Sequence, residues 1–466
     1  MEAISGVWWV DGNPDKRVAG TLAYTGELWQ LNLVGRLPAD NTQSDGLSLV
    51  PPATIYGACL GRRYTLRHAY LRRSKGPSRR FDVPLDDRDR ADDQYSQLWE
   101  GYSLILGDVL PESASYGAAM FEISGLNKWW PNTYPGPEDD RNSLSEVHAI
   151  AECEDGWVVK IGVSGMESSD AYSHTISKWT TVLVERDSGF TLPVLEDELM
   201  MPLRTLISIV THERAECFNL KLQPIGETYD PTFPIEVDPG MRKREDVRPY
   251  GQVIFTPDQV DVQSLISSWI SLVRRNIVPV YAAEPSDSRG PLQEQVVECV
   301  NAAETLHRSL HGEPEDFPFA EKVWAALPKG AEGLSRKDRE RVRSAVKFTE
   351  YSLKNRLEEL AGALGSDFCD WYLQGDVEKW AIVSSTVRNA LSHGYRTTHG
   401  VEYDFEALVG IVQITRSIIA LRLLVAAGLP AGTALIDMIK KDRPYLALVR
   451  QSVADWNSLA SKIHPA

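Results

Sequence analysis

Residues 376–396 read DVEKWAIVSSTVRNALSHGYR. Asp376 follows Gly375 and suits an N-cap, because its short carboxylate can accept from an amide that a helix start leaves unpaired. Val377, Trp380, Ser384, Val387 and Leu391 recur at steps of three and four, the spacing of one helix face. Gly394 suits the residue just past a helix end, where the backbone turns left-handed. The stretch therefore predicts a helix over 376–393 whose apolar stripe must pack on other helices. Its last two turns hold Arg388, Asn389 and His393. Asn389 and His393 are four apart and share a face, so the amide can orient the imidazole. Arg388 lies nearly half a turn round, but its long stem lets the guanidinium reach over. A histidine capping carbonyls beside a surface arginine fits the same spacing.

Working outward, everything after residue 291 reads as helix. Candidate helices cover 292–311, 318–326, 335–364, 376–393, 404–427 and 443–461, with short Gly, Pro and Asp connections, as in an antiparallel all-α bundle. The stretch IVQITRSIIALRLLVAAGLP (411–430) is the most apolar, but Arg416 and Arg422 inside it make a membrane span costly. A buried helix is the expectation. The first 190 residues read as strands instead: GVWWV, GTLAYTGELWQLNLVG, ATIYGACLG, YTLRHAYL, LWEGYSLILG, WVVKIGVSG and KWTTVLVE are β-branched and aromatic runs separated by turn residues. A sandwich or barrel-like β domain follows. The polar loops 86–93 and 132–142 read as solvated. Between lie the helix LEDELMMPLRTLISIVTHE, the strand candidates CFNLKLQP and GQVIFTP, and the helix DVQSLISSWISLVRR. Pro285, Asp287 and Gly290 mark a boundary. The expected protein is α+β and multidomain: a β-rich domain over 1–190, an α/β connecting segment over 191–290 and a helical domain over 291–466.

Bulk properties agree. A chain of 466 residues is too long for one ordinary core. A formal charge of −16 excludes a protein coated in positive charge for non-specific nucleic-acid binding, though not a local basic site. The N-terminus, MEAISGVWWVDGN, has no basic start and no long apolar run, so no signal peptide is expected. Cys59, Cys153, Cys217, Cys299 and Cys369 are scattered and never spaced as CxxC, which points to a reducing compartment without disulfides or zinc. A cytoplasmic location follows as the simplest expectation.

Arginine, four to six residues, then histidine is a weak pattern by itself. Arg63 and Arg62 stand at such spacings before His68, and Arg141 before His148. On a strand, Arg63 and His68 would lie about 16 Å apart on opposite faces and converge only through a bulge. Other chemistry-bearing patterns fail: HERAEC at 212 lacks a second histidine, GVSGM at 162 has the wrong spacing for a nucleophile elbow, and no phosphate-cradling glycine loop occurs.

Context gives RNALSHG its weight. Near the end of a bundle helix it resembles the signature of HEPN domains: arginine, a polar residue, a short spacer, then histidine. The helix VVECVNAAETLHRSLHG (296–312) is similar to the first helix of the ApeA-like branch, in which an acidic residue follows small apolar ones. Glu304 takes that place as a candidate supporting acid. The runs GVWWVDG, GTLAYTGELWQLNLVG, ATIYGACLGRRYTL, LILGDVL and MFEISGLNKWW look like blocks of the N-terminal domain that accompanies this branch. The resemblance implies a metal-independent ribonuclease with an anti-phage role, tRNA being one candidate substrate. It also implies a homodimer whose two motifs face each other, and a β domain that responds to a phage-derived trigger.

The residue types fit that chemistry without a cofactor. His393 can exchange protons near neutrality, and Arg388 offers a permanently charged fork that matches phosphate oxygens. Asn389 can orient the ring or donate to the phosphate. For holding RNA, the stretch 335–356 carries eight Lys/Arg against three Asp/Glu, with Arg336, Arg339 and Arg343 on one helix face. Tyr395 and Arg396 follow the motif and can stack on or contact a strand. A solvated helix face explains the basic stripe equally well. Two other readings stay open: a HEPN scaffold without activity, and a carbohydrate- or peptide-binding β protein whose site draws on Trp8, Trp9, Trp29, Trp129 and Trp130.

Overall fold

The computed structural model describes residues 3–11, 13–37, 52–75, 95–107, 113–130, 146–169, 174–226, 234–237, 253–285, 290–312, 335, 337–338, 352–394, 396 and 400–441. The helices expected at 318–326 and 443–461, the two polar loops, and Arg141, Arg336, Arg339, Arg343 and Tyr395 lie outside these residues. The chain divides into two units, Met1–Arg204 with Ala215–Arg248, and Thr205–Arg214 with Pro249–Ala466.

The first unit is built on antiparallel pairing. Strands β1 (Ile4–Val10), β2 (Val18–Tyr24), β3 (Trp29–Val34), β6 (Ser96–Gly101), β5 (Arg62–Lys75) and β4 (Ala53–Cys59) follow one another in space, and β4 pairs back onto β1 and β5. That ring is a closed barrel, which leaves those strands no free edge. Its interior is apolar: Trp8, Leu22, Trp29, Leu31, Ile55 and Trp99 are at most 1% exposed. The sheet then runs on from β5 through β7 (Ser103–Leu106), β13 (Ile235–Val237), β12 (Cys217–Pro224), β8 (Tyr116–Ile123), β11 (His174–Phe190) and β10 (Trp157–Ser169) to β9 (Glu146–Glu152). Four of the tryptophans proposed to line a ligand site, Trp8, Trp9, Trp29 and Trp129, are instead buried in the packing, since large aromatic rings contribute most by leaving water. Trp130 stacks on His148 at 5.6 Å.

The short helix α1 (Leu126–Trp129) also belongs to this unit. Helix α2 (Leu192–Leu195) opens the expected helix, continues through a wider π-turn at Glu196–Met200 and ends as α3 (Met201–Thr211). The wide turn falls directly before Pro202, which has no amide to donate and whose ring crowds a regular helical turn.

The second unit is helical. It contains α4 (Val262–Arg275), α5 (Ile277–Ala283), α6 (Leu292–His311), α7 (Leu353–Gly362), α8 (Ser366–Tyr372), α9 (Val377–His393), α10 (Phe405–Ala426) and α11 (Thr433–Lys441). Two expectations need correction. GQVIFTP is no strand in its described part: Val253, Ile254 and Phe255 are buried as an irregular segment, and Ile254 donates to the Val210 carbonyl at 2.9 Å. The helix expected over 335–364 starts afresh at 353, because Ser352 is extended and its hydroxyl caps the amide of Asn355 at 3.2 Å. Helix α10 is buried nearly all round, with Ile414, Ile418, Leu421 and Leu424 fully enclosed. It is long and apolar enough to cross a membrane, yet 72% of its apolar window is packed inside the protein.

Candidate active site

Helix α9 forms as its sequence requires. The Asp376 carboxylate accepts from the Lys379 amide at 3.2 Å, and Gly394 ends the helix with φ 69°, donating back to the Ala390 carbonyl at 2.9 Å. Trp380, Ala381, Val383, Ser384, Val387 and Ala390 turn inward. This leaves Arg388 and Asn389 half-buried on the flank and His393 exposed at the last position. The imidazole is therefore open to solvent rather than sealed in the bundle.

The Arg388 fork is spoken for on every side. Its Nε donates to Asn301 Oδ1 at 2.7 Å, and Nη1 donates to Asn389 Oδ1 at 2.8 Å. Its Nη2 faces the Glu304 carboxylate at 3.5 Å. Glu304 in turn receives Arg308 at 2.9 Å and lies 3.9 Å from Nε of Arg356, a side chain with no exposed surface. Asn301, Glu304 and Arg308 stand three and four residues apart on α6, so one helix face presents an acceptor, a carboxylate and a second guanidinium. Arg356 reaches them from α7. Two helices thus fix one guanidinium, and two more cations, one of them from α7, share its carboxylate.

The sequence pairing of Arg388 with His393 is therefore rearranged. The structure joins Arg388 to Asn389, which was expected to serve His393, and to Glu304, the candidate acid, while His393 stands at the helix end. Asn389 gives its carbonyl oxygen to Arg388, which competes with the expected role of orienting the imidazole. Arg396 is exposed just beyond. Asn301, Arg308 and Arg356 were missed. The first two had a readable signal, since they share the face of Glu304 on a helix already expected. Arg356 had none, because KNRLEE looks like a solvated helix face and only packing buries it.

One turn further along α6, His307 is 1% exposed, and its Nε2 lies 2.8 Å from Glu359 of α7. His311 stacks on it at 4.7 Å. Burial, His307 and Arg422 together hold the His311 pKa below the usual histidine value. Among the described residues no group of three or more His, Cys, Asp or Glu could hold a metal ion.

Of the competing Arg–His spacings, His68 does occupy a bulge, with φ 49° and a register shift opposite Ala53 and Ile55. There the buried guanidinium of Arg67, not that of Arg63, meets the Glu196 carboxylate at 3.4 Å.

A helical unit that anchors an arginine and asparagine late in one helix, ends that helix on an open histidine, and braces the arginine with an acid from another helix has the features of a HEPN domain. Residues 297–433 match the family model described as Apea-like HEPN. Residues 3–269, more than half of the chain, match ApeA N-terminal domain 1, and the chain belongs to the ApeA family. No curated protein matches the chain. No solved structure matches it either. The family is one of defence-associated HEPN nucleases, whose HEPN domains are generally ribonucleases and typically dimerise.

Proposed function

We propose that this protein is a metal-independent endoribonuclease that cuts RNA through attack of a 2′-hydroxyl on the adjacent phosphate. His393 takes the hydroxyl proton, the 2′-oxygen bonds to phosphorus, and the bond from phosphorus to the 5′-oxygen breaks. The leaving oxygen then needs a proton. One histidine cannot easily serve as base and acid in the same step, so a second copy of the chain supplies its own His393 across a two-fold axis. Arg388 neutralises the charge that gathers on the phosphate oxygens. Its contact with Glu304, at 3.5 Å, is the loosest of its three, so Nη2 is the donor a phosphate would claim most readily.

The observation that carries this reading is an exposed imidazole five residues from a guanidinium whose direction two helices fix. The second copy would not use α10, which is buried. Among the described residues, the exposed large apolar side chains of this unit are Ile277, Val278 and Tyr281 on α5, with Tyr403 just before α10 and Phe405 at its first position. The substrate is RNA of the host or phage, with tRNA a candidate. The setting is cytoplasmic anti-phage defence, with a phage-derived trigger acting through the β unit.

A second reading has its own support. Asn301, Asn389 and Glu304 would hold Arg388 in the same way in a HEPN scaffold that cuts nothing. Incubating the purified protein with RNA and EDTA separates the two. Cleavage that persists in EDTA and disappears in His393→Ala and Arg388→Ala, with both variants folded and dimeric, supports the nuclease. Absence of cleavage by the parent protein, with or without divalent metal and phage lysate, supports the scaffold.

A further inference from the structure

The barrel carries a groove of about 560 Å³ on its outer face, across strands β1, β2, β3, β6 and β5. Strand pairing explains its lining. Ser5 pairs with Thr21, Thr21 with Asn32, Asn32 with Leu98, and Leu98 with Arg73. Two residues along, Ala19, Val34, Ser96 and Lys75 form the next line. The line between them turns inward, where Leu33 and Gln97 are buried. The two outer lines thus face solvent together.

Their chemistry is graded across the sheet. At one end stand Arg73 and Lys75, both exposed and, among the described residues, without an ion pair. The carboxylate on that side, Glu100, is already engaged by Tyr70 at 2.7 Å, Gln30 at 3.0 Å and Arg72 at 3.9 Å. In a chain of net charge −16, two cations that find no ion pair among the described residues favour an anion beside the groove. In the middle, Val34 is 67% exposed and Leu98 half-buried, an apolar floor that no described residue covers. Asn32 and Ser96 flank that floor with an amide and a hydroxyl, and the Ser5 and Thr21 hydroxyls, 3.2 Å apart, close the far end. Asn32 lies two strands from Arg73, about 10 Å away.

We propose that this groove binds a mononucleotide. The phosphates meet Arg73 and Lys75, the flat base lies on Val34 and Leu98 with Asn32 at its edge, and the sugar hydroxyls meet Ser96 or Thr21. The volume lies within the range of small-molecule sites, and the mixture of an apolar floor with a few placed polar groups is what such sites need. The two cations sit at one end only, which matches a ligand charged at one end and not a strand with a phosphate at every residue. The β unit carries this inference alone, so it stands or falls apart from the nuclease reading.

The test is calorimetric titration of the full-length protein with ADP, using adenosine, pyrophosphate and a tri-ribonucleotide as comparators. Two variants accompany it: the double change Arg73→Ala with Lys75→Ala, and Ala19→Phe, which fills the exposed groove without altering charge. All three positions are exposed, and unchanged melting curves will confirm folding. The expected result is ADP binding that weakens at least tenfold in each variant, with adenosine and pyrophosphate each binding at least tenfold more weakly than ADP. No ADP binding, or equal binding in parent and variants, would overturn the proposal. So would pyrophosphate matching ADP, which would make the site one for simple anions, or a tri-ribonucleotide binding where ADP does not.

Discussion

Changing Glu304 to glutamine removes one negative charge from among three arginines and keeps the side chain's shape. The cost can be bounded from the geometry. Arg308 is 44% exposed and sits one helical turn from Glu304, so that pair contributes about 0.5 kcal/mol or less. Arg388 is about a quarter exposed and retains Asn301 and Asn389, so losing its ionic contact costs about 1 kcal/mol. Arg356 has no exposed surface, and breaking a fully buried pair costs roughly 3–5 kcal/mol, but at 3.9 Å this contact is loose and reaches only part of that. A total of about 2 kcal/mol follows, which lowers the melting temperature of a unit this size by about 4–8 °C. The assay is thermal unfolding followed by circular dichroism, paired with RNA cleavage across pH. If Glu304 holds Arg388 in position, the variant melts earlier and cleaves at least tenfold more slowly, and its pH–rate curve keeps the parent's shape. A double-mutant cycle with Arg388→Ala should return a coupling of about 1 kcal/mol. A variant that melts with the parent but loses one limb of its pH–rate curve would refute this reasoning, because Glu304 would then be transferring the proton itself.

The remaining predictions concern other parts of the chain. His393→Ala should abolish cleavage while shifting stability by no more than about 0.5 kcal/mol, since the side chain is exposed at a helix end; a large fall in melting temperature would give the ring a structural role. Leu421→Ala, in the fully buried part of α10, should cost about 2–5 kcal/mol at every protein concentration, and a cost that shrinks on dilution would place that helix in a subunit interface. Burial depresses the His212 pKa to about 3 from the ordinary value of 6.5. The unfolded chain then binds the extra proton below pH 6.5, so stability falls as pH drops from 6.5 towards 3, by on the order of 1 kcal/mol at pH 5.5. His212→Asn tolerates the same left-handed φ of 54° and should remove that part of the slope in urea midpoints measured at pH 7 and 5.5. Parallel losses in parent and variant would show that another group is responsible.

How far the fold could be read in advance depended on how one-sided each element is. Strand β3 alternates buried and exposed residues, with Leu31 and Leu33 inward and Asn32 and Val34 outward, so its period announces it. Strand β8 was not recognised as one. It lies between β11 and β12 and buries Ala118, Ala119, Phe121 and Ile123 on both faces, so YGAAMFEI has no alternation to detect. GQVIFTP failed in the opposite direction. Its apolar run has the composition of a strand, but the described part pairs with no strand and fills space beside α3. The choice between sandwich and barrel was beyond reach too, because the return of β4 onto β1 and β5 depends on a long, bulged β5 whose register shifts are tertiary facts.

The candidate site shows the same division at the scale of one side chain. Residues 388 and 393 are five apart, which places them about 140° from each other around a helix. That separation is poor for direct contact and good for dividing tasks. The flank position meets the neighbouring helix and becomes rigid, while the end position meets solvent. Spacing revealed the two residues but could not say which would be anchored, because the anchors lie far off in sequence: Asn301 is 87 residues from Arg388. Bonds to Arg388 from two helices need a folded bundle, whereas Arg63 and His68 on β5 find no such frame, and the ion pair there goes to Arg67. An Arg–His motif earns a catalytic reading only when tertiary partners fix the arginine without enclosing the histidine. Arg388 and His393 satisfy that condition, and whether the anchored fork still yields one donor to a phosphate is what the Glu304 and Arg388 variants decide.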